Sequence, residues 1–365
     1  FKAVTYPGTG SQGDYAVVTG MQPDLVWIKC RNVGHQHYLV DSVRGVNHAL
    51  SSSWSTNSMT PIEFTSFNTN GFTAKFTSGG GRTAYSSDGP FVAWTWKAGG
   101  APSGSNIYMK DGTGYTDTSN TALFGNASNY NITPTKVSIG TKQGFGIYKF
   151  TASSVNGVAN TKLPHGLGKA PEFVIIKSTD TANTNWVVTL PALGDDLYLN
   201  STGARINGSS AGTYFQTTAD SNVITFGRTD TTYSNKPNLE YIVYAFTSVK
   251  GYSAFGSYTG NGSPDGPFVY IGFKPSFFLV KCTNTSSATD DWAILDNARD
   301  PHNVVRRKLY PNDTYGENDD ATYWGCDFLS NGVKIRNTWE ASNQTGKNYI
   351  YMAFAEQPGK YSNAR

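Results

Sequence analysis

Gly168-Lys169-Ala170-Pro171-Glu172-Phe173-Val174-Ile175-Ile176-Lys177 has two counterparts in the same chain, Gly20-Met21-Gln22-Pro23-Asp24-Leu25-Val26-Trp27-Ile28-Lys29 and Gly272-Phe273-Lys274-Pro275-Ser276-Phe277-Phe278-Leu279-Val280-Lys281. The Gly, Pro and Lys fall at identical spacings in all three. Each copy reads as a Gly/Pro turn feeding an apolar strand that stops at a lysine. The flanks repeat as well. An aromatic strand opens each copy, at Phe1-Lys2-Ala3-Val4-Thr5-Tyr6, at Phe145-Gly146-Ile147-Tyr148-Lys149-Phe150 and at Phe255-Gly256-Ser257-Tyr258-Thr259-Gly260. Another closes it, at Phe91–Trp96, Tyr241–Phe246 and Tyr349–Phe354. Three blocks in one order at three places mark an internal repeat, and the repeat governs how the rest is read.

The first and third copies share more. His37-Tyr38-Leu39-Val40-Asp41-Ser42-Val43-Arg44 matches Trp292-Ala293-Ile294-Leu295-Asp296-Asn297-Ala298-Arg299, and Phe67-Asn68-Thr69-Asn70-Gly71-Phe72 matches Phe328-Leu329-Ser330-Asn331-Gly332-Val333. An Asn-Gly pair between apolar alternations is a strong hairpin signal. The second copy keeps only Trp186 of the middle strand and lacks the Asp/Arg pair.

Only 15% of the 365 residues are charged, 14% are aromatic and 39 are Gly. That balance favours short strands and turns over long helices. The predicted fold is all-β: three tandem antiparallel β-sandwich repeats of jelly-roll-like connectivity. They span 1–100, 145–250 (a degenerate copy) and 251–365, with a linker over 101–144 that carries a small hairpin at Ile107–Tyr115. Helices are expected as single turns, with His48-Ala49-Leu50-Ser51 the best candidate.

The net charge of +3 is spread along the chain without a basic cluster, so nucleic acid is not a predicted partner. No apolar run has the length of a membrane span. The chain opens on Phe1, which reads as a processed or truncated start. Cys30, Cys282 and Cys326 form no CxxC pair, which argues against a disulfide framework and a zinc site.

Asp41/Arg44 and Asp296/Arg299 are read as structural ion pairs at strand ends, the alternative being a site that grips a polar ligand. His35 and His37, two apart on one strand, would share a face, but no further metal ligands cluster with them. Asp195-Asp196 and Glu317-Asn318-Asp319-Asp320 match neither a calcium loop nor, on sequence alone, a glycosidase pair, and are read as solvated loops. No nucleophile elbow or zinc-protease motif is present, so no catalytic residue, metal or cofactor is assigned and the chain is read as not an enzyme. Trp27, Trp94, Trp96, Trp186 and Trp292 are assigned to the core. Trp54, Trp324 and Trp339, in polar surroundings, are the ligand-contact candidates.

Four blocks carry a resemblance: His165-Gly166-Leu167-Gly168-Lys169-Ala170-Pro171, Gly256-Ser257-Tyr258-Thr259-Gly260-Asn261-Gly262, Asp327-Phe328-Leu329-Ser330-Asn331-Gly332 and Tyr349-Ile350-Tyr351-Met352-Ala353-Phe354-Ala355-Glu356. The chain resembles repeat-bearing proteins of marine phages, cyanophages among them, with tail-fibre-like segments. The resemblance implies a virion location, after synthesis in the host cytoplasm, and no reaction. The function expected is a phage structural protein, a tail fibre or similar appendage that meets the host surface. Its partners would be other virion proteins, further copies of itself (a trimer, for a fibre), and a host-surface glycan or protein. The alternatives are a capsid-decorating cement protein and a lectin or glycan-processing enzyme on the same scaffold.

Overall fold

The computed structural model describes residues 1–8, 12–46, 48–56, 63–76, 89–152, 161–181, 184–206, 217–226, 236–284, 290–319 and 324–355. Over these residues the regular secondary structure is almost wholly β-strand, paired antiparallel except at one place. The quoted stretches form the strands Leu25–Cys30, Phe173–Ser178 and Phe277–Cys282. Each is the third strand of its unit. The unit's last strand (Phe91–Trp96, Glu240–Phe246 or Asn348–Phe354) lies between the first and the third. The first strands are Lys2–Tyr6, Phe145–Thr151 and Ser253–Thr259. The fourth (Tyr38–Asp41, Val187–Leu190, Ala293–Asp296) hairpins back onto the third.

A smaller sheet accompanies each large one. It is built from the second strand (Gly13–Val18, Thr161–Pro164, Phe268–Tyr270) and a following hairpin. The strand orders agree in all three units. They nest the first strand with the last and the second with the penultimate.

Burial of the third strands explains how the units are arranged. All six residues are buried in each copy, so both faces of the large sheet are covered. Alternation assigns the faces. Val26, Ile28 and Cys30 pack with Phe64, Phe72 and Ala74 of the small sheet, giving a sandwich core in unit one. Val174 and Ile176 do the same in unit two, Phe278, Val280 and Cys282 in unit three. The other face of all three large sheets enters one common core that holds Leu25 and Trp27, Phe173 and Ile175, and Phe277 and Leu279. The sandwiches are therefore joined back to back, and unit three meets unit one as well as unit two.

Two readings are corrected, and a third is made definite. The hairpin-bearing segment 101–144 packs on unit two. Its hairpin, Tyr108–Lys110 with Thr113–Tyr115, extends the sheet of unit two through Lys136–Gly140. The proposed helical turn at His48–Ser51 contains the short strand Ala49–Leu50 instead, because Leu39 and Val40 offer it a pairing edge. Single helical turns occur at Thr121–Phe124 and Glu340–Asn343. In the first strand of unit three, Ser253, not Phe255, occupies the position of Phe145, since Phe145 pairs with Phe246 and Ser253 with Phe354. The slip is two residues, so every side chain keeps its face.

The Asn-Gly hairpins form, but their glycines have another purpose. In the register Asn68↔Gly71 and Leu329↔Gly332 the turns are Thr69-Asn70 and Ser330-Asn331. A Cβ on Gly71 would stand 1.9 Å from the carbonyl oxygen of Val17, and one on Gly332 2.4 Å from that of Val269. Each glycine lets the neighbouring strand come close.

A shared core couples the units thermodynamically, since separating one exposes the inner faces of the other two. Heating should unfold the chain in one transition, with calorimetric and van't Hoff enthalpies equal. Three resolved steps in calorimetry would contradict the common core.

Candidate functional site

The Asp/Arg pairs lie where units meet. Asp41 Oδ1 accepts from the amides of Val43 (3.1 Å) and Arg44 (2.8 Å), which closes the turn, and its Oδ2 accepts from Arg44 Nε at 2.6 Å. The same Oδ2 accepts from the Tyr244 hydroxyl of unit two at 2.8 Å. Asp296 of unit three repeats the plan, with Arg299 Nε at 2.6 Å and Trp94 Nε1 of unit one at 2.9 Å. The Arg299 guanidinium also lies over the Trp94 ring, 5.6 Å from its centroid.

Tyr244 and Trp94 occupy one position of the last strand, opposite Ile175 and Trp27. In unit three that position is Met352, opposite Leu279. The position of Asp41 is held in unit two by Leu190, at the end of the fourth strand. Both Leu190 and Met352 lie in the common core. Carboxylate and hydrogen-bond donor are thus absent together from the joint between units two and three. This gives a physical reason for the degenerate second copy: an Asp there would face no donor and be buried unpaired.

A second set of bonds runs round the ring in the same sense, from donor to acceptor. Trp186 Nε1 of unit two donates to the Ser51 carbonyl of unit one at 2.7 Å, and Trp292 Nε1 of unit three to that of Tyr198 in unit two at 2.9 Å. His37 holds the matching position in unit one. Burial pushes its pKa well below the ordinary value, against the pull of the Tyr310 backbone in unit three. Its Nδ1 accepts from Trp27 Nε1 at 2.9 Å, while Nε2 has no partner of hydrogen-bond geometry. Neutral and walled in, His37 is a core residue, and neither it nor His35 lies within a strand.

Lys29, Lys177 and Lys281 are equivalent, opposite Val92, Ile242 and Ile350, and fully buried. Main-chain oxygens solvate them. Lys177 Nζ donates to the carbonyls of Thr184 (3.0 Å) and Ser55 of unit one (3.2 Å), and Lys281 Nζ to those of Cys282 (2.8 Å) and Thr202 of unit two (3.1 Å). Burial lowers their pKa values to about 8 for Lys29, about 7 for Lys177 and about 8 for Lys281.

Two acidic runs are corrected. Asp196 is a buried strand residue that accepts from the Thr189 hydroxyl. Glu317 is bound bidentately by Arg31 of unit one (2.7 and 2.9 Å) and touched by Arg299 Nη1 at 3.3 Å. Burial opposes its charge, but the two arginines prevail and hold its pKa below the usual carboxylate value. Asp320 lies outside the described residues. Glu317 borders an open depression of about 710 Å³ with Asp291, Tyr310, Tyr315 and Asp319. Its carboxylate is already committed to the joint between units one and three, and it is a poor acid or base for that reason. A second cleft, of about 590 Å³, lies between unit one and the hairpin of unit two, beside Lys97, Asp111 and Lys142. No group of three or more His, Cys, Asp or Glu among the described residues could hold a metal ion, and no helix there is long and apolar enough to cross a membrane.

The three tryptophans proposed for ligand contact do not share a surface. Trp54 is exposed, at 43%. Trp324 is buried in the sandwich core of unit three, with Lys308 Nζ 5.1 Å from its ring centroid. Trp339 packs against that core and precedes the turn Glu340–Asn343. Polar neighbours in sequence do not fix where a ring points, and both of these rings turn to the core. Trp27, Trp94, Trp96, Trp186 and Trp292 are all buried, as assigned. The sequence reading missed Phe268, Tyr270 and Tyr315, which are exposed at 43%, 68% and 65%. The alternation Phe268-Val269-Tyr270 is the signal that would have placed the first two on an outer face.

Two outcomes follow. Asp41→Leu alone strands Arg44 in the interior and should cost about 3–5 kcal/mol in chemical denaturation, against about 0–1 for an exposed pair. Adding Arg44→Leu and Tyr244→Met copies the residues of the joint between units two and three and should restore most of the loss. For Lys177, the folded state binds fewer protons than the unfolded between about pH 7 and the ordinary lysine value, so its contribution to stability rises with pH across that window and is flat below it. Lys177→Met should remove up to about 1.4 kcal/mol per pH unit of that slope. An unchanged slope from pH 7 to 9.5 would show that the ammonium is not desolvated.

No curated protein and no solved structure matches the chain. One family model matches residues 1–358 as a single span, across all three units and the segment between the first two. The chain belongs to the family of the domain of unknown function DUF7483.

Proposed function

We propose that this chain is a non-enzymatic structural and binding part of a phage particle, a tail-fibre-like appendage that meets the host surface. The observation that carries this reading is where the charges are used. Asp41, Arg44, Asp296, Arg299 and Glu317 are spent on holding units together, and the buried Lys177 and Lys281 each donate to a carbonyl of the preceding unit. Trp54, Phe268, Tyr270 and Tyr315 are exposed on a body whose three units brace one another. Such a body suits repeated weak contacts that become firm through multivalency. The likeness of its repeat blocks to those of phage proteins supports a virion location. In this reading other virion proteins and further copies of the chain are its assembly partners.

Immunogold labelling of intact particles of the source virus tests it. Antibody against the chain should decorate the tail appendage. Label on the head would favour a capsid-decorating protein, and particles free of label would refute a virion role. Trp54→Ala should weaken adsorption of the purified chain to host cells while leaving its melting temperature within about 2 °C, since the exposed side chain contributes little to stability and the joint bonds of its neighbours Ser51 and Ser55 come from the main chain.

A further inference from the structure

We propose that the outer face of the second strand of unit three, Phe268–Tyr270, is a stacking platform for a neutral glycan. The proposal deepens the host-contact reading and rests on it for the source of the sugar. Val269 points into the sandwich core at 4% exposure, while Phe268 and Tyr270 project to solvent on the same face, about 7 Å apart along the strand. Tyr270 stands opposite Gly332, and the Phe268 ring lies over that glycine, where a Cβ would come within 2.6 Å of Phe268 Cζ. The glycine thus makes room for the ring that lies beside Tyr270.

The fold does not require aromatics here. In unit one the matching strand pairs Val18 with Gly71, which places Val18 at the position of Tyr270 and Ala16 at that of Phe268. In unit two, where Leu163↔Ile224 corresponds to Val269↔Val333, those positions hold Pro164 and Lys162. The same architecture thus forms three times, and only unit three presents two rings.

The polar frame selects the ligand. Lys334, opposite Phe268, is paired with Asp265 at 2.6 Å, and Arg336 with Asp327 at 2.6 Å. Cations and anions cancel two by two, so the face attracts neither nucleic acid nor a polyanionic membrane, while its amino, guanidinium and carboxylate groups remain able to hydrogen-bond hydroxyls. Two rings also offer far less apolar area than the roughly 800 Å² per partner of a stable protein interface. An uncharged pyranose chain, with C–H faces for the rings and hydroxyls for the rim, fits both properties.

The test is an array of neutral oligosaccharides probed with the full chain, followed by titration of the best ligand. Three proteins are compared: the parent, Phe268→Ala/Tyr270→Val (the residues unit one carries) and Tyr270→Ala, whose side chain is largely in solvent. The expected result is binding that falls at least about tenfold in both variants, as loss of ring contacts implies, with unchanged melting and little response to salt. No neutral sugar bound by the parent, affinity retained by both variants, or binding only to charged glycans would each overturn the platform. So would self-association of the parent that the double variant abolishes, which would assign the face to a second copy. A platform that fails on a chain still labelled on the tail leaves the appendage reading intact. Sugar binding by a chain absent from particles does the reverse.

Discussion

The common core behind the three large sheets is the constraint on which everything else depends. A sheet with apolar residues on both faces needs two covers. The small sheet of each unit supplies one, and the other two large sheets together supply the second. Aromatic rings lock the centre: Phe1 packs on Trp96 and Phe354, and Phe354 on Phe246, with centroids 5.0–5.9 Å apart, so that all three units meet there. An individual unit would expose its whole inner face, and the chain therefore behaves as one body, not as three domains on a string.

Polar chemistry inside that body follows from the closure. Each joint must satisfy the groups it buries, and the ring does so with directional contacts that pass from one unit to the next. Tyr244 and Trp94 donate to aspartates of the neighbouring unit, and the indoles of Trp186 and Trp292 donate to backbone carbonyls in the same sense. Where one partner of the first kind is absent so is the other, Leu190 and Met352 standing in their places. The glutamate between Arg31 and Arg299 adds an ionic clasp where the last unit returns to the first.

This arrangement bears on function through what it leaves over. Residues that would attract attention as acids, bases or anion grips are committed to architecture, and the exposed aromatics are the side chains on which the proposed recognition rests. The outer face of the small sheet suits that task, because neither core constrains it and its residues vary among the three units while the frame stays constant.

By itself the sequence determined the all-β class, the threefold repeat, the equivalence of Lys29, Lys177 and Lys281, and the burial of five tryptophans. These are local facts: strand period, turn residues and block order are written within a few positions of one another. Only the tertiary structure decided that the sandwiches share a core, that segment 101–144 is part of a sheet, and that Trp324 points inward while Phe268 and Tyr270 point out. The reason is physical. Alternation tells which residues share a face, but which face meets solvent depends on what lies behind it, and for the inner faces the covering layer comes from other units, with contacts some 200 positions apart in sequence.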